Sequence, residues 1–495
     1  MSKKKGGAPE PKAVTTPATT TPKVPPVLTD RRGMGGVNAQ DGFDYQICDG
    51  LLRVPAWLLR QSFEGIIFEG LEDLEARFFP AHAPKGHFVD RFQAKLSELS
   101  KAELSAVFES FMAFDEHHPQ IARIHTLVTP SLPAKFRWLS RDFKRVRDAR
   151  PFYDPFPQVL ASTADATRAN LGAEFGQTLG DFIARSVEFS TRSIAADRTT
   201  AESWFASEMT RAFPHLDVSA KRLHGSFAHL LDLVTATRGQ MVTRAQIITS
   251  IEDGLATSLA LPGDLQLHVR SDRTSPETEA LEIDASPFCG GGRGVPHADD
   301  WQRHLVAPLT NAARWAYRSG YRRVRISGQF RLSPAFVVGW AFRSSTGFEL
   351  DVPTKTGDWN TDAHPPAATT TNPWQVTQPT AHSDDRLIVA ICVVRDGTPA
   401  VRAFYNVSDD SSLLVLRAAD GVPNAVEAQR LVQSAKTTVL DAVTRFNAKR
   451  MDMFFLGPAA LAIALGHRWN AMPPTRMHEY DPATHQYRVA ALLTA

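Results

Sequence analysis

The sequence predicts an α/β protein of two units, and three observations carry that prediction. Apolar residues between Gly42 and Leu132 read in the order helix, three strands, helix, strand. Residues 135 to about 255 keep almost only the three-to-four spacing of helices. From about residue 260, strands and helices alternate in two rounds, the pattern of βαβ units on a largely parallel sheet. A chain of 495 residues with 43% hydrophobic and 22% charged positions can bury two or three cores, which excludes a single small module.

Residues 1–38 hold Lys, Pro, Thr, Ala and Gly with almost no large apolar side chains, so they are expected to be a disordered tail. Folded sequence is expected from about Gly42, where Tyr45, Cys48, Leu51, Leu52, Leu58 and Leu59 recur at helical spacing, with Asp41 as a cap and Pro55 as a kink or break. Ile66–Phe68, Leu74–Phe79 and Gly86–Lys95 read as strands, 98–115 as a helix, and Ile121–Leu132 as a buried strand stopped by Pro130 and Pro133. Turn residues around Pro262, Gly263 and Asp272–Glu279 place a boundary near 260, giving units 39–258 and 259–495. In the second unit, Leu281–Ala285, Val324–Gly328 and Phe336–Phe342 are expected strands and Trp301–Tyr317 a helix. Then Leu387–Val394, Val401–Asn406 and Met453–Leu456 are expected strands, with helices at Ala425–Asn447 and Pro458–Leu465. Two Rossmann-like halves follow, joined by Thr354–Ser383, a Pro- and Thr-rich surface loop.

Lys and Arg total 55 against 53 Asp and Glu, so any affinity for polyanions must come from local patches. Cys48, Cys289 and Cys392 are too few for a four-cysteine zinc site and too scattered for a disulfide framework, which fits a reducing cytoplasm. The longest apolar run, Met453–Gly466, is about 14 residues against the ~20 a membrane span needs. No apolar stretch follows Lys3, Lys4 and Lys5 to make a signal peptide, so no membrane partner is expected.

The segment richest in chemistry is Glu69-Gly-Leu-Glu-Asp73 followed by Phe92-Gln93-Ala-Lys95. Period-two alternation puts Gln93 and Lys95 on one face of a strand and Ala94 on the other. Phosphodiester hydrolysis needs a hard cation with oxygen ligands, and Asp73 and the Gln93 carbonyl can supply them. An ammonium beside the cation can orient a water and pair with the phosphate, a role that suits Lys95. Glu69 can add a direct or water-bridged ligand, and Gln46 on the preceding helix can orient the group. Taken alone, an acid followed by Gln-x-Lys recurs by chance, and any solvated hairpin carries acids and a lysine. Its order after a Tyr-Gln helix is more specific.

This arrangement resembles the PD-(D/E)xK nuclease superfamily in its Q-x-K form. Gly42, Phe43, Tyr45 and Gln46, then Phe68 to Asp73, then Phe92 to Lys95 are similar to the endonuclease domain DUF4297 over about 100 residues. The resemblance implies a restriction-endonuclease-like core with a helical extension, a Mg²⁺ or other divalent cation held by Asp73 and Gln93, and cleavage of double-stranded DNA. Gln93 stands where many relatives have Glu, which removes a charge and leaves the DNA phosphate to complete the metal shell.

Lys135 to Arg150 holds seven basic residues, among them Arg141, Lys144 and Arg145, interleaved with Phe136, Trp138 and Phe143. Such a run is either a solvated helix face or the surface that meets DNA phosphates, and the second reading makes these three residues candidates for DNA binding.

In the second unit, Gly457-Pro458 between a strand and an apolar helix lets a ligand approach the backbone and suits an anion at the helix N-terminus, or else makes a tight packed turn. Arg331 can pair a phosphate. Trp340 can stack on a base or fill the core, and Ser434 and Lys436 can face ligand or solvent. Residues 327–342, 426–436, 454–470 and 477–487 together resemble the SAVED domain, a fusion of two CARF-like Rossmann-type halves that binds cyclic oligonucleotides. That resemblance implies the effector of a CD-NTase (CBASS) anti-phage system, in which nucleotide binding drives homo-oligomer assembly and the attached nuclease cuts double-stranded DNA. Head-to-tail contact would give open assemblies. Two alternatives use the same residues: a restriction-type endonuclease whose C-terminal half reads modified DNA, and a nucleotide-binding regulator with a degenerate nuclease half.

Overall fold

The computed structural model describes residues 34–69, 73–81, 88–95, 97–118, 123–147, 156–191, 198–270, 279–288, 295–362, 372–380, 385–393, 395–418 and 421–494. Residues 1–33 of the expected tail lie outside them. The first helix, α1 (Met34–Leu59), starts within the last residues assigned to that tail and runs straight through Pro55. A proline removes one helix hydrogen bond and costs ~3 kcal/mol in isolation. Here Val54, Trp57 and Leu58 are buried on either side of it, and that packing holds the helix together.

The front sheet contains β1 (Phe63–Phe68), β2 (Leu74–Phe78), β3 (Phe88–Ala94), β4 (Arg123–Thr129), β5 (Val187–Thr191) and β6 (Met241–Thr243), in the spatial order β5-β4-β3-β2-β1-β6. β1, β2, β3 and β6 pair antiparallel, whereas β3, β4 and β5 run parallel. α2 (Lys101–His117) makes the β3–β4 crossover and opens on a capping box in which Ser100 and Glu103 exchange hydrogen bonds. α3 (Arg137–Arg147), α4 (Phe156–Phe175), α5 (Gln177–Ser186), α6 (Arg198–Ala212), α7 (Ala220–Ala236) and α8 (Arg244–Leu255) form the expected helical section. β5 and β6 interrupt it; at five and three residues they are too short to show a period.

The second unit holds two sheets. The first has β7 (Leu265–Arg270), β8 (Leu281–Asp284), β9 (Arg323–Gly328), β10 (Glu349–Thr354) and β11 (Gly357–Asn360), in the order β11-β10-β9-β7-β8. α9 (Ala298–Trp301) continues through a π turn into α10 (Ala307–Arg318), and α11 (Leu332–Ala341) follows β9. The second has β12 (Trp374–Thr377), β13 (Arg386–Cys392), β14 (Leu413–Ala418), β15 (Arg450–Leu456), β16 (Thr475–Asp481) and β17 (Gln486–Leu493), in the order β12-β14-β13-β15-β16-β17. Its helices are α12 (Thr398–Tyr405), α13 (Ala425–Phe446) and α14 (Ala459–His467). Both sheets are parallel except at their edges, so the α/β class and the two Rossmann-like halves stand.

Three expectations are corrected. Residues 336–341 lie in helix α11, which Phe342 caps; Ser333 through Trp340 are all buried, and an apolar run without alternation looks like a buried strand. Residues 401–405 belong to helix α12, which opens on Thr398-Pro399, a favoured start, and is capped by Asn406. The expected 354–383 loop contains β11 and β12.

α11 and α14 cross between the two sheets at a pair of glycines. A Cβ on Gly339 would meet Ile463 O at 1.9 Å, and one on Gly466 would meet Phe336 O at 2.1 Å. The backbones therefore touch, and they join the two halves into one core.

Candidate functional site

The front-unit residues converge where the β1–β2 hairpin closes. Glu69 follows β1 with φ 52, the left-handed region, and its N–H donates to Asp73 O at 3.0 Å. Gly70, Leu71 and Glu72 of the same motif lie outside the described residues. Asp73 immediately precedes β2, and its Oδ2 accepts a 2.7 Å hydrogen bond from Ala94 N–H on β3. Burial pushes the Asp73 carboxyl above the usual carboxylate range and the Glu69 charge adds to that, while the Ala94 hydrogen bond and the Lys95 ammonium pull it down.

Phe92 packs under Trp57 and the Arg53 guanidinium of α1. Alternation therefore turns Gln93 and Lys95 toward the opposite face of the sheet. Gln93 Oε1 is buried with no hydrogen-bond partner, a costly state for a carbonyl unless something else binds it. The Lys95 backbone is held by Val128 O at 2.8 Å. Glu69 also lies 4.0 Å from the Arg238 guanidinium. Gln46 stands half-buried on α1, one turn before Gly50, whose Cβ would meet Phe68 and Leu74 beside this loop. Among the described residues no group of three His, Cys, Asp or Glu side chains could hold a metal alone. The donor set that fits a hard cation is Asp73 with the orphaned Gln93 carbonyl.

The basic helix leaves the same end of the sheet. α3 follows β4, the strand that holds Lys95, with Phe136 and Leu139 buried and Lys135, Arg137 and Arg141 exposed. Lys135 pairs with Glu174 at 2.8 Å and Arg141 with Asp142 at 2.8 Å. The side chains of Lys144 and Arg145, and residues 148–150, lie outside the described residues. A cavity of about 450 Å³ between α2 and α5, lined by Asp115, Asp181 and Arg185 among others, shares no residue with this cluster.

In the second unit, β15 reverses strand order beside β13, and ligands bind at such a switch point beyond the strand C-termini. Three helices start at this rim. α12 is closed by Asp396, which accepts from Thr398 N–H at 3.0 Å and is bracketed by Arg417. α11 is closed by Glu479 of β16, which accepts from Ser333 N–H at 2.9 Å. Burial raises the Glu479 carboxyl, opposed by the Ser333 hydrogen bonds and the Arg331 charge. α14, after Gly457 with Pro458 as its cap residue, has no side-chain cap. β15 pairs with β16 with Phe454 opposite His478, so Arg331 and Gly457-Pro458 belong to one rim.

The other candidates do not join them. Trp340 is 8% exposed and packs in the core under Arg343. Lys436 donates to Asn470, past the far end of α14, at 2.7 Å, and Ser434 donates to Asn372 at 2.9 Å. The sequence reading gave no role to Glu479 or Asp396. Glu479 was detectable as an acid at an inward position of an alternating strand.

Residues 307–493 match the family model for the SMODS-associated and fused to various effectors sensor domain, SAVED. The chain carries a SAVED domain. β7 and β8 precede the matched span yet lie in the same sheet as β9 of that domain. Over its length the chain is similar to CD-NTase-associated protein 4 of Acinetobacter sp. (strain ATCC 27244 / 9458), at 23% identity covering 92% of this chain and 96% of that protein. The Moraxella osloensis protein of the same name is 21% identical with the same coverage. The solved Acinetobacter baumannii Cap4 SAVED/CARF-domain containing receptor with the cyclic trinucleotide 2′3′3′-cAAA superposes with a TM-score of 0.71 at 20% identity, covering 92% of this chain and 99% of that one. The Moraxella osloensis Cap4 receptor gives 0.66 at 19% identity, covering 92% and 100%. These likenesses extend the shared fold through the front unit and the SAVED domain alike. Among the described residues no helix is long and apolar enough to cross a membrane.

Proposed function

We propose that the chain is a cytoplasmic effector nuclease of a bacterial CBASS anti-phage system. A cyclic di- or trinucleotide at the SAVED rim drives homo-oligomer assembly, and the front unit then hydrolyses double-stranded DNA with a divalent cation. The observation that carries the enzymatic half is the buried, unpartnered Gln93 carbonyl on the residue before Ala94, whose N–H holds the Asp73 carboxylate. The sensor half is supported by the family match and by the uncapped start of α14 beside Arg331.

Mg²⁺, when bound, supplies the Lewis acid that neutralises the phosphate and acidifies the attacking water. Asp73 and Gln93 would hold it, with Glu69 adding negative charge. Lys95 offers its ammonium to the scissile phosphate and orients the water on the strand that fixes its backbone. Gln46 approaches from α1, and Arg141, Lys144 and Arg145 neutralise backbone phosphates of the duplex. At the rim, Arg331 pairs a ligand phosphate while the first N–H groups of α14 receive another. Cys48 and Cys392, buried and in no disulfide, suit a reducing compartment.

The test incubates purified chain with supercoiled plasmid, Mg²⁺ and a panel of cyclic di- and trinucleotides. Cutting that needs both Mg²⁺ and one nucleotide supports the proposal. Cutting indifferent to nucleotide, or tight duplex binding by the second unit, favours the modified-DNA alternative instead.

A further inference from the structure

Contacts between the two units gather at one end of the β1–β2 hairpin. Gln61, 3% exposed in the turn between α1 and β1, reaches across with its whole amide. Its Nε2 donates to Asp264 O at 2.7 Å, and its Oε1 accepts from Gln266 N–H at 2.7 Å. Its backbone N–H donates to Glu279 O at 3.1 Å, so one front-unit residue grips the starts of both β7 and β8. Beside it, Trp315 of α10 donates its indole N–H to Glu64 Oε1 at 3.1 Å and lies flat on Phe79, with ring centroids 4.8 Å apart. Arg244 ties the same junction to the end of α1, donating to Arg60 O at 2.9 Å and Leu58 O at 2.7 Å.

Two strands lead away from this junction, β1 and β7. β1 carries Glu64 near its start and delivers Glu69 at its far end, ~16 Å on at ~3.3 Å per residue. β2 begins directly after Asp73 and ends beside Phe79. The hairpin therefore bears the inter-unit contacts at its open end and the candidate catalytic acids at its closed end. β7 has the same two-ended construction. It is clasped at Asp264 and Gln266, and its Val269 O would lie 2.2 Å from a Cβ on Gly328, the residue that leads into Arg331 and α11. Paired strands in a close-packed interior transmit a displacement rather than absorb it.

We infer that Gln61 and the Trp315–Glu64 pair are the coupling through which nucleotide at the Arg331 rim sets the position of Asp73 and Glu69. This rests on the nuclease and sensor readings above. Coupling of this kind requires that the ligand favour one arrangement of the junction over another, and the clasp is the element both sites would bias.

The test uses the full chain. Gln61→Leu keeps similar volume but removes both side-chain hydrogen bonds, and Trp315→Phe keeps the ring stack but removes the N–H donor. Hydrogen exchange in peptides covering β1 and β2 is measured with and without 3′3′3′ cyclic tri-adenylate and the cyclic dinucleotides of adenine and guanine. Nucleotide affinity and Mg²⁺-dependent plasmid cleavage are measured beside it. The expected result is nucleotide binding within about twofold of wild type in the double variant, with the exchange response of β1 and β2 abolished and stimulated cleavage at least tenfold lower. Trp315→Phe alone, which spares the fold, is expected to give a partial loss of both. An exchange response that is equal in the double variant and the wild type, or absent from the wild type when nucleotide is bound, overturns the inference. A wild type that binds nucleotide and shifts exchange in β1 and β2 without cutting DNA defeats the nuclease reading and leaves the coupling standing. A wild type that binds none of the nucleotides defeats the sensor reading and the coupling together.

Discussion

The Asp73 carboxylate accepts a 2.7 Å hydrogen bond from the Ala94 N–H, one residue before Lys95, which ties the acid of one strand to the ammonium-bearing turn of its neighbour. The same bond fixes one carboxylate oxygen on the backbone of the residue that follows Gln93. Asp73→Asn and Lys95→Ala are each expected to lower DNA cleavage at least ~100-fold, the usual loss for removing a group that acts on charge in the transition state. Nucleotide binding by the same variants should be unchanged, measured by calorimetry.

Burial raises the Asp73 carboxyl, so it takes up a proton at higher pH than an ordinary carboxylate. A protonated acid cannot hold a divalent cation. The apparent Mg²⁺ affinity, read from cleavage against Mg²⁺ concentration, should therefore weaken on acidification before ordinary carboxylates titrate. In Lys95→Met, judged by direct cation binding, that weakening should begin at still higher pH, because the ammonium no longer holds the carboxyl down.

Asp90 lies on the opposite face of the same strand and is pushed up to about 6, chiefly by burial, with Arg60 3.9 Å away opposing. A carboxyl raised in the folded state contributes stability below its unfolded value of ~3.9 and loses that contribution as pH climbs through about 6. Asp90→Asn should flatten the melting temperature between those two values, checked by thermal unfolding across pH.

The glycine crossing has no room for a methyl group. Gly466→Ala would place a Cβ 2.1 Å from Phe336 O and 2.9 Å from Trp340 N, both main-chain atoms that cannot rotate away. Overpacking of this kind costs typically 1–3 kcal/mol, so unfolding of the second unit should shift down by several degrees.

For the basic helix, Arg141→Glu should weaken duplex binding across sequences and reduce the salt slope of the affinity by ~1, the signature of a phosphate contact. An unchanged slope would make α3 a solvated face only.

Much of the front unit was legible because its strands alternate and its helices are amphipathic: Gln93 and Lys95 share a face as period two requires, and Asp73 reaches their strand. Phe336–Phe342 misled because α11 is buried on every side and has no polar stripe to reveal its period. Ser434 and Lys436 share α13 with buried Leu431 and Ala435, but no sequence pattern tells which end of a crevice a helix faces. Gln61 was illegible for another reason. Its partners stand 203 and 205 residues away, and a lone glutamine in a turn carries no local signal of a distant clasp.

The most direct test compares wild type, Lys95→Ala and Arg331→Ala for nucleotide affinity and for Mg²⁺-dependent plasmid cleavage with the activating cyclic oligonucleotide present. Lys95→Ala is expected to bind nucleotide normally and cut nothing, and Arg331→Ala to lose nucleotide affinity and with it the response. A Lys95→Ala chain that still cuts DNA at the wild-type rate, or an Arg331→Ala chain that responds to nucleotide as wild type does, would contradict the proposed function.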